Sequence, residues 1–276
     1  MPKVSVLTPI YNTNIQYLRE MIESVLNQTF KDFEFLILND SPDNIELDQV
    51  VAEHQRRDPR IRYMKNETNV GISESRNRLL RESRGKYLAI LDHDDVCASD
   101  RFQKQVAFLD ENPNVGVVGT WVGIIGKGES LHFPVQNIDI KRALLDECVI
   151  SHSSSMLRKS VLLKNSIKWE EEYSPAEDYM LWARLFPKTL FHNIPEELLK
   201  WRKYEESSGA KSAAMMMNNA DLIRSILSKD FPSFRMNSEW LYLLCCIPFI
   251  KIKHRGTNDV RYLLFGIIPI IKRLRR

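Results

Sequence analysis

Residues 86 to 95 read Lys-Tyr-Leu-Ala-Ile-Leu-Asp-His-Asp-Asp, an apolar run that ends abruptly in three carboxylates, Asp92, Asp94 and Asp95. The stretch from Tyr87 to Leu91 has the length and composition of a strand buried on both faces. Such a strand does not run on into three acids unless it has reached the edge of its sheet. In open α/β sheets the carboxyl edge is where ligands bind. Asp92 and Asp94, two residues apart, can both address one hard cation and leave most of its coordination sphere to the phosphates of a ligand. A solvated turn that caps a helix starting near Ser99 accounts for the same residues, since Asp is favoured in both roles. The local pattern leaves both readings open.

Similar short apolar runs recur at Val4 to Leu7, Phe33 to Leu38, Ile61 to Met64 and Val115 to Val118, separated by stretches with helical spacing of apolar residues. Alternating strand and helix predicts a parallel, doubly wound α/β sheet. The first helix is the best marked: Thr13 and Gln16 fit a capping box, and Ile15, Leu18, Ile22, Val25 and Leu26 line one face. After Gly128 the pattern changes to a polar loop, a short helix near Ile140 to Glu147 and a strand at Ser153 to Leu157. Ala176 to Phe186 then reads as a helix with Glu177 and Asp178 in its first turn. The helix dipole favours acids there, so local physics alone favours a structural role over a catalytic one.

The chain has 276 residues, 43% of them apolar, enough for one large α/β domain and an appendage. Cys97, Cys148, Cys245 and Cys246 show no C-x-x-C spacing and read as reduced thiols. The start, Met-Pro-Lys followed directly by a strand-like run, carries no signal-peptide pattern, so a cytoplasmic location is expected. The formal charge of +3 is too small to suggest nucleic acid, but it is unevenly placed. Residues 251–276 hold eight Lys or Arg and one Asp, a charge of +7, whereas residues 1–250 carry 31 basic and 35 acidic side chains.

Two apolar runs near the end, Trp240 to Ile250 and Tyr262 to Ile271, are shorter than the ~20 residues of a spanning helix. Each contains a proline, Pro248 or Pro269, and each is followed by basic residues. This is the composition of segments lying in an anionic membrane interface, and packing on the main domain as ordinary helices is the competing expectation.

Several segments together resemble the family 2 glycosyltransferases of the GT-A fold, inverting enzymes that use nucleotide sugars. They are Val4-Ser-Val-Leu-Thr-Pro-Ile-Tyr-Asn12, Ser24 to Glu34, Leu38-Asn-Asp-Ser41, Asn69-Val-Gly-Ile-Ser-Glu-Ser-Arg-Asn77, Gly85 to Asp95 and Ala176-Glu-Asp-Tyr-Met-Leu-Trp182, in the family's order across residues 1 to 205. The resemblance implies a GT-A domain over 1–210, with a nucleotide-binding half (1–98) and an acceptor half (99–210). A helical, basic C-terminal extension would follow at 211–276. The implied sheet is Rossmann-like, doubly wound and mixed.

The resemblance also implies roles for particular side chains. Asp40 would accept the N3–H of a uracil ring, for which an acceptor-only carboxylate is suited, and this favours a UDP-sugar donor. Pro9 and Tyr11 would floor the base, and Asn69 and Arg76 would belong to the donor site, Arg76 reaching the base or a phosphate. Asp92 would meet the ribose or a metal-bound water, and Asp94 or its neighbour Asp95 would hold Mn²⁺ or Mg²⁺. His93 is read as structural, and His152 as lying where a sugar packs. Arg202, with Lys203, would meet the diphosphate on closure of a loop at Ser207 to Gly209, although Tyr204 stands where the family usually has His. Asp178 would be the base that takes the acceptor hydroxyl's proton. The acceptor would be a glycan or a lipid-linked oligosaccharide of bacterial surface-polysaccharide synthesis, met at the inner face of the cytoplasmic membrane.

Two other classes compete. A strand followed by Asp-x-Asp is also the nucleophile motif of haloacid-dehalogenase phosphatases, but there it is expected near the N-terminus, whereas here three strand-helix units precede it. A non-catalytic nucleotide-sugar-binding subunit would require loss of the metal or base carboxylates, and both are present.

Overall fold

The computed structural model describes residues 1–203 and 212–235, and by backbone alone 249–253, 259–264 and 268–273. The first four apolar runs become four parallel strands, β1 (Val4–Ile10), β2 (Phe33–Asn39), β3 (Ile61–Lys65) and β4 (Tyr87–Ile90). Helices α1 (Ile15–Leu26), α2 (Ile45–Arg57) and α3 (Ile72–Glu82) connect them. Every residue of β1, β2 and β4 is buried, as expected of strands covered on both faces. The spatial order is β3-β2-β1-β4, so the chain winds outward from β1 to β3 and then crosses back to place β4 on the other side of β1. The carboxyl ends of β1 and β4 therefore flank a topological switch point, where an open α/β sheet forms its ligand crevice. Gly85 leads into β4 where the chain passes close to β1. A Cβ there would lie 2.5 Å from the Ser5 nitrogen, so glycine is required.

The sheet continues with β5 (Val96–Cys97), β6 (Val115–Ile124), β7 (Ser130–Leu131), β8 (Met156–Arg158) and β9 (Leu190–Trp201). β8 is antiparallel to both β4 and β6, and β9 runs parallel to β6 and antiparallel to β5, so the nine-stranded sheet is mixed. Helices α4 (Arg101–Glu111), α5 (Asn137–Ala143), α6 (Lys159–Lys164) and α7 (Glu177–Leu185) complete this half. The 12-residue β9 carries no clear strand signal: it contains Pro195 and two acids, and its pairing with β6 is broken by register shifts.

The cap of α1 differs from expectation. Asn14 is the capping residue, its side-chain oxygen accepting from the main-chain N–H of Gln16 (2.9 Å) and Tyr17 (3.3 Å). The helix starts one residue later than a cap at Thr13 would require, and Asn serves the position at least as well as Thr.

The chain divides into two compact units, Met1–Ile226 and Leu227–Arg276. The expected C-terminal helices are present as α8 (Ala213–Asp230) and α9 (Pro232–Arg235). The helical expectation fails further on, where Phe249–Lys253, Asp259–Leu264 and Ile268–Arg273 form a three-stranded antiparallel sheet, β10-β11-β12. The sequence Phe-Ile-Lys-Ile-Lys alternates with a period of two, which suits a strand, and Pro269 falls on the edge strand β12, where a missing donor is tolerated. Most of the run from Trp240 to Ile250 lies outside the described residues, as do Cys245 and Cys246. Cys97 and Cys148 are free thiols. Among the described residues no helix is long and apolar enough to cross a membrane.

Candidate active site

Three clusters stand along the carboxyl edge of the sheet. The first follows β1 and β2. A cavity of about 350 Å³ is lined by Tyr11, Asn12, Asp40, Ser41 and Asn69 among others. Tyr11 comes directly after β1 and is 51% exposed, an open aromatic face on the cavity. Asp40 follows β2 and is nearly fully buried. Its Oδ1 accepts from Asn66 Nδ2 (2.7 Å) and the Val70 N–H (3.0 Å), and its Oδ2 accepts from the Gly71 N–H (3.0 Å). The carboxylate thus fixes the loop before α3 and retains acceptor capacity on Oδ2. Asn69 Oδ1 also accepts from the Gly71 N–H, and Gly71 caps α3 with φ +86°, a conformation that glycine adopts without strain. Pro9 lies within β1 rather than past it. It is buried beyond Leu7, where pairing with β4 stops, and it does not line this cavity.

The second cluster joins α3, the end of β4 and the start of α7. Arg76 is buried, and its guanidinium donates to Glu177 Oε1 at 2.5 Å and to Asp92 Oδ1 at 3.0 Å. Burial would discourage its charge, but Asp92, Glu177 and Asp178 together outweigh that and raise its pKa. Arg76 is therefore committed to carboxylates and is not among the residues of the Tyr11–Asp40 cavity. Asp178, partly buried beside Glu177, accepts from the Tyr179 N–H at 2.7 Å. Burial, and then the charge of Glu177, push its pKa up to about 7, while Arg76 restrains the rise. A carboxylate so placed is half-protonated near neutrality, the property of a base that must both accept and release a proton. His152 lies behind this cluster, its Nε2 3.0 Å from the indole nitrogen of Trp169. Burial and the charge of Arg76 hold its pKa well below the ordinary histidine range.

The third cluster is the acidic turn. The Asp92 N–H donates to Ser153 Oγ at 3.0 Å. Asp95 is only 1% exposed and accepts from the Arg202 N–H at 3.1 Å. Burial, then Asp94 and Asp92, drive its carboxyl well above the usual range. The Arg202 side chain donates to the Asp94 carbonyl at 3.0 Å, pairs with Glu20 and lies 4.0 Å over the Tyr17 ring. It locks β9 to the turn instead of projecting into open space. Lys203 closes the described stretch, and Tyr204 and the Ser207 to Gly209 loop lie outside it.

The turn suits a hard divalent cation. Its donors are all carboxylate oxygens, and the mutual repulsion that raises Asp95 is what a bound positive charge relieves. Among the described residues no three His, Cys, Asp or Glu side chains gather into a complete metal site, so a cation here would draw its remaining ligands from a diphosphate. Of the two expected ligands, Asp94 is partly buried, whereas Asp95 is turned inward and accepts from the Arg202 N–H just after β9. His93 is partly buried with Nδ1 lacking a partner.

Glu177, Trp169, Asn77 and Glu20 join the site without having been singled out as ligands. Glu177 had a sequence signal in its place beside Asp178, and Asn77 only as the end of the Asn69 to Asn77 segment. Trp169, Asn77 and Glu20 depend on contacts 92 to 182 positions apart in the chain.

Comparison with known proteins bears on the family and the fold. The sequence profile of Glycosyl transferase family 2 matches residues 5–165. An uncharacterized glycosyltransferase of Methanocaldococcus jannaschii is 36% identical over 207 residues, 73% of this chain and 71% of that protein. Several longer relatives are spanned only in part, down to 24% of the length of one. Among solved structures, Staphylococcus aureus TarS 1-349 in complex with UDP-GlcNAc superposes with a TM-score of 0.65 at 22% identity, covering 88% of this chain and 76% of that one. The mannosyltransferase PcManGT of Pyrobaculum calidifontis, in complex with GDP-Man and Mn²⁺, gives 0.63 at 15% identity, covering 87% and 71%. At these identities the two structures speak for the fold.

Proposed function

For this chain, which belongs to glycosyl transferase family 2 and has the GT-A fold, we propose an inverting transfer of a sugar from a UDP-sugar to a hydroxyl of a glycan or lipid-linked acceptor. The observation that carries this reading is Asp178: a carboxyl poised at about pH 7, one residue from the Glu177–Arg76–Asp92 ion triad that ends at the acidic turn. Asp178 takes the acceptor's proton while the acceptor oxygen bonds to the anomeric carbon. The bond from that carbon to the diphosphate oxygen breaks on the opposite face, and UDP leaves.

The base packs on Tyr11, and Asp40 accepts the uracil N3–H on the acceptor capacity left to Oδ2. Pro9 supports Tyr11 from within β1, and Asn69 and Asp40 hold the cavity wall. Asp94, with Asp92 beside it, holds Mn²⁺ or Mg²⁺. Such an ion, when bound, offsets the charge growing on the leaving diphosphate, a stabilisation on the order of several kcal/mol. Arg76 orients Asp92 and Glu177, His152 borders the sugar, and Arg202 keeps the turn in place. TarS, bound to UDP-GlcNAc, supports a UDP-sugar donor, and PcManGT, bound to GDP-Man and Mn²⁺, supports the metal.

The phosphatase reading has no support, since it would make Asp92 a free nucleophile, whereas here it is paired with Arg76. For the acceptor, the support is the charge of +7 over residues 251–276 and the apolar runs beside it, which suit a lipid-linked acceptor met at the anionic inner face of the cytoplasmic membrane. Co-sedimentation with anionic vesicles tests this, and a chain ending at residue 250 that pellets as well as the full one rules the tail out as the anchor. A screen of UDP-, GDP- and dTDP-sugars for metal-dependent nucleotide release tests the donor. Release from UDP-sugars is expected, and a preference for GDP-sugars would reassign Asp40.

A further inference from the structure

Arg101 opens α4 and is fully buried, yet it forms no ion pair among the described residues. Its hydrogen bonds all go to neutral acceptors. Nε donates to Gln105 Oε1 at 3.0 Å, one terminal nitrogen to Cys97 Sγ at 3.1 Å, and the other to the main-chain carbonyls of Ile90 at 2.9 Å and Ser155 at 3.1 Å. Taking a guanidinium out of water without a carboxylate beside it is costly, and packing alone gives no reason to bear that cost.

Two of those acceptors bracket the acidic turn. Ile90 is the last residue of β4 and Cys97 the last of β5, and residues 91–95 between them carry Asp92, Asp94 and Asp95. The Ser155 carbonyl also accepts from the Ile90 N–H at 3.0 Å, and Ser153, two residues earlier, accepts from the Asp92 N–H at 3.0 Å. Gln105 donates in turn to the Ser154 and Val118 carbonyls, at 2.8 and 3.1 Å. One rigid fork of donors thus joins both ends of the turn to residues 153–155, which hold its first acid. Arg158 offers a contrast at the opposite end of β4, where it pairs with Tyr87. Its bonds go to the Leu109, Asn112 and Val115 carbonyls and the Tyr87 hydroxyl, none of them in the turn.

Three like charges in one short turn repel one another, so the turn has to be held from outside itself if its carboxylates are to keep a spacing that suits one cation. The side chains that orient the ligands of a metal commonly decide its affinity without touching it. We propose that Arg101 is a positioning residue for the divalent cation, clamping the acidic turn at both ends, so that it sets affinity for the metal and not for the nucleotide. The proposal rests on the reading of the turn as a metal site and names the residue that prepares it.

Calorimetry of UDP binding to the full chain, in Mn²⁺ and in EDTA, tests it on the wild type, Arg101→Lys and Arg158→Lys. In the wild type Mn²⁺ should tighten UDP binding. Lysine keeps the buried charge but has a single nitrogen, which cannot reach acceptors on both sides of the turn. The gain from Mn²⁺ should therefore fall about 10-fold in Arg101→Lys, the lower end of what losing such a support costs, with UDP affinity in EDTA unchanged. Arg158→Lys should lower the Tm and keep the full gain. If Arg101→Lys does not fold, Cys97→Ala releases one end of the clamp and should cut the gain roughly 2- to 10-fold, the effect of one hydrogen bond. A full gain in the folded Arg101→Lys or in the Cys97→Ala that replaces it, or an equal loss in Arg158→Lys, overturns the proposal and leaves the metal site intact. A wild type that binds UDP equally in Mn²⁺ and EDTA overturns the reading on which it rests.

Discussion

Arg76 and Glu177 are 101 positions apart in the chain, and their side chains meet at 2.5 Å. The same guanidinium holds Asp92 at 3.0 Å, so one buried cation ties α3 and the end of β4 to the first turn of α7. Asp92, at the start of the acidic turn, and Glu177, beside Asp178, are thereby fixed in a single hydrogen-bonded unit. Arg76 and Glu177 are out of water and Asp92 partly so, and the loss of one buried member leaves the other uncompensated.

Arg76→Ala should accordingly destabilise the fold by about 3–5 kcal/mol, the usual result of breaking a buried ion pair from one side. Urea unfolding followed by fluorescence measures it. A loss under about 1 kcal/mol, the level of an exposed pair, would mean that the triad is open to solvent.

The activity should fall on the acid side with an apparent pKa near 7, because Asp178 must be ionised to accept a proton and its carboxyl is pushed up to about 7. Glu177 contributes to that rise, so Glu177→Gln should move the limb to lower pH. A pH profile of kcat/KM reads both effects, and a limb that does not move in Glu177→Gln would separate it from Asp178.

The raised pKa has a consequence for stability with a definite sign. The folded chain binds this proton more tightly than the unfolded chain, where the ordinary value is 3.8, so the contribution of Asp178 to stability falls as pH rises from there through about 7. Asp178→Asn should therefore raise the Tm more at pH 8 than at pH 5. A larger gain at pH 5 would contradict the assignment.

Asp40→Asn places an amide opposite three donors that now bond a carboxylate, Asn66 Nδ2 and the Val70 and Gly71 N–H groups. It should cost roughly 1–3 kcal/mol of stability and weaken UDP binding as the loop before α3 loosens. Thermal unfolding and calorimetry on the same variant check both. Full stability with lost UDP binding would confine Asp40 to base recognition.

The parts of this architecture that depend on short-range pattern were legible in the sequence. β1 to β4 are continuous apolar runs because both faces are covered, and the acids after Ile90 mark the sheet edge because no buried strand could contain them. β9 was not legible, since its partner β6 lies about 75 residues earlier and the pairing tolerates Pro195 and two acids by shifting register. The tail strands were concealed by a composition that suits an interfacial segment equally well. In the site, the acids could be named individually, but the use of Arg76 could not: as a helical cation in isolation it looks solvated, and only the fold brings Asp92 and Glu177 to it. His152 shows the same limit, because its ring is held by Trp169, and Trp169 by Asn77.

The central claim is that Asp178 is the base of a metal-assisted transfer from a UDP-sugar. Its most direct test is single-turnover transfer from the preferred UDP-sugar to an acceptor glycan in Mn²⁺, comparing the wild type with Asp178→Asn, alongside UDP-sugar affinity for both. The account predicts affinity nearly unchanged and a rate lower by roughly two to four orders of magnitude, the range expected for a positioned general base. A variant that binds the donor and retains most of the wild-type rate would contradict it.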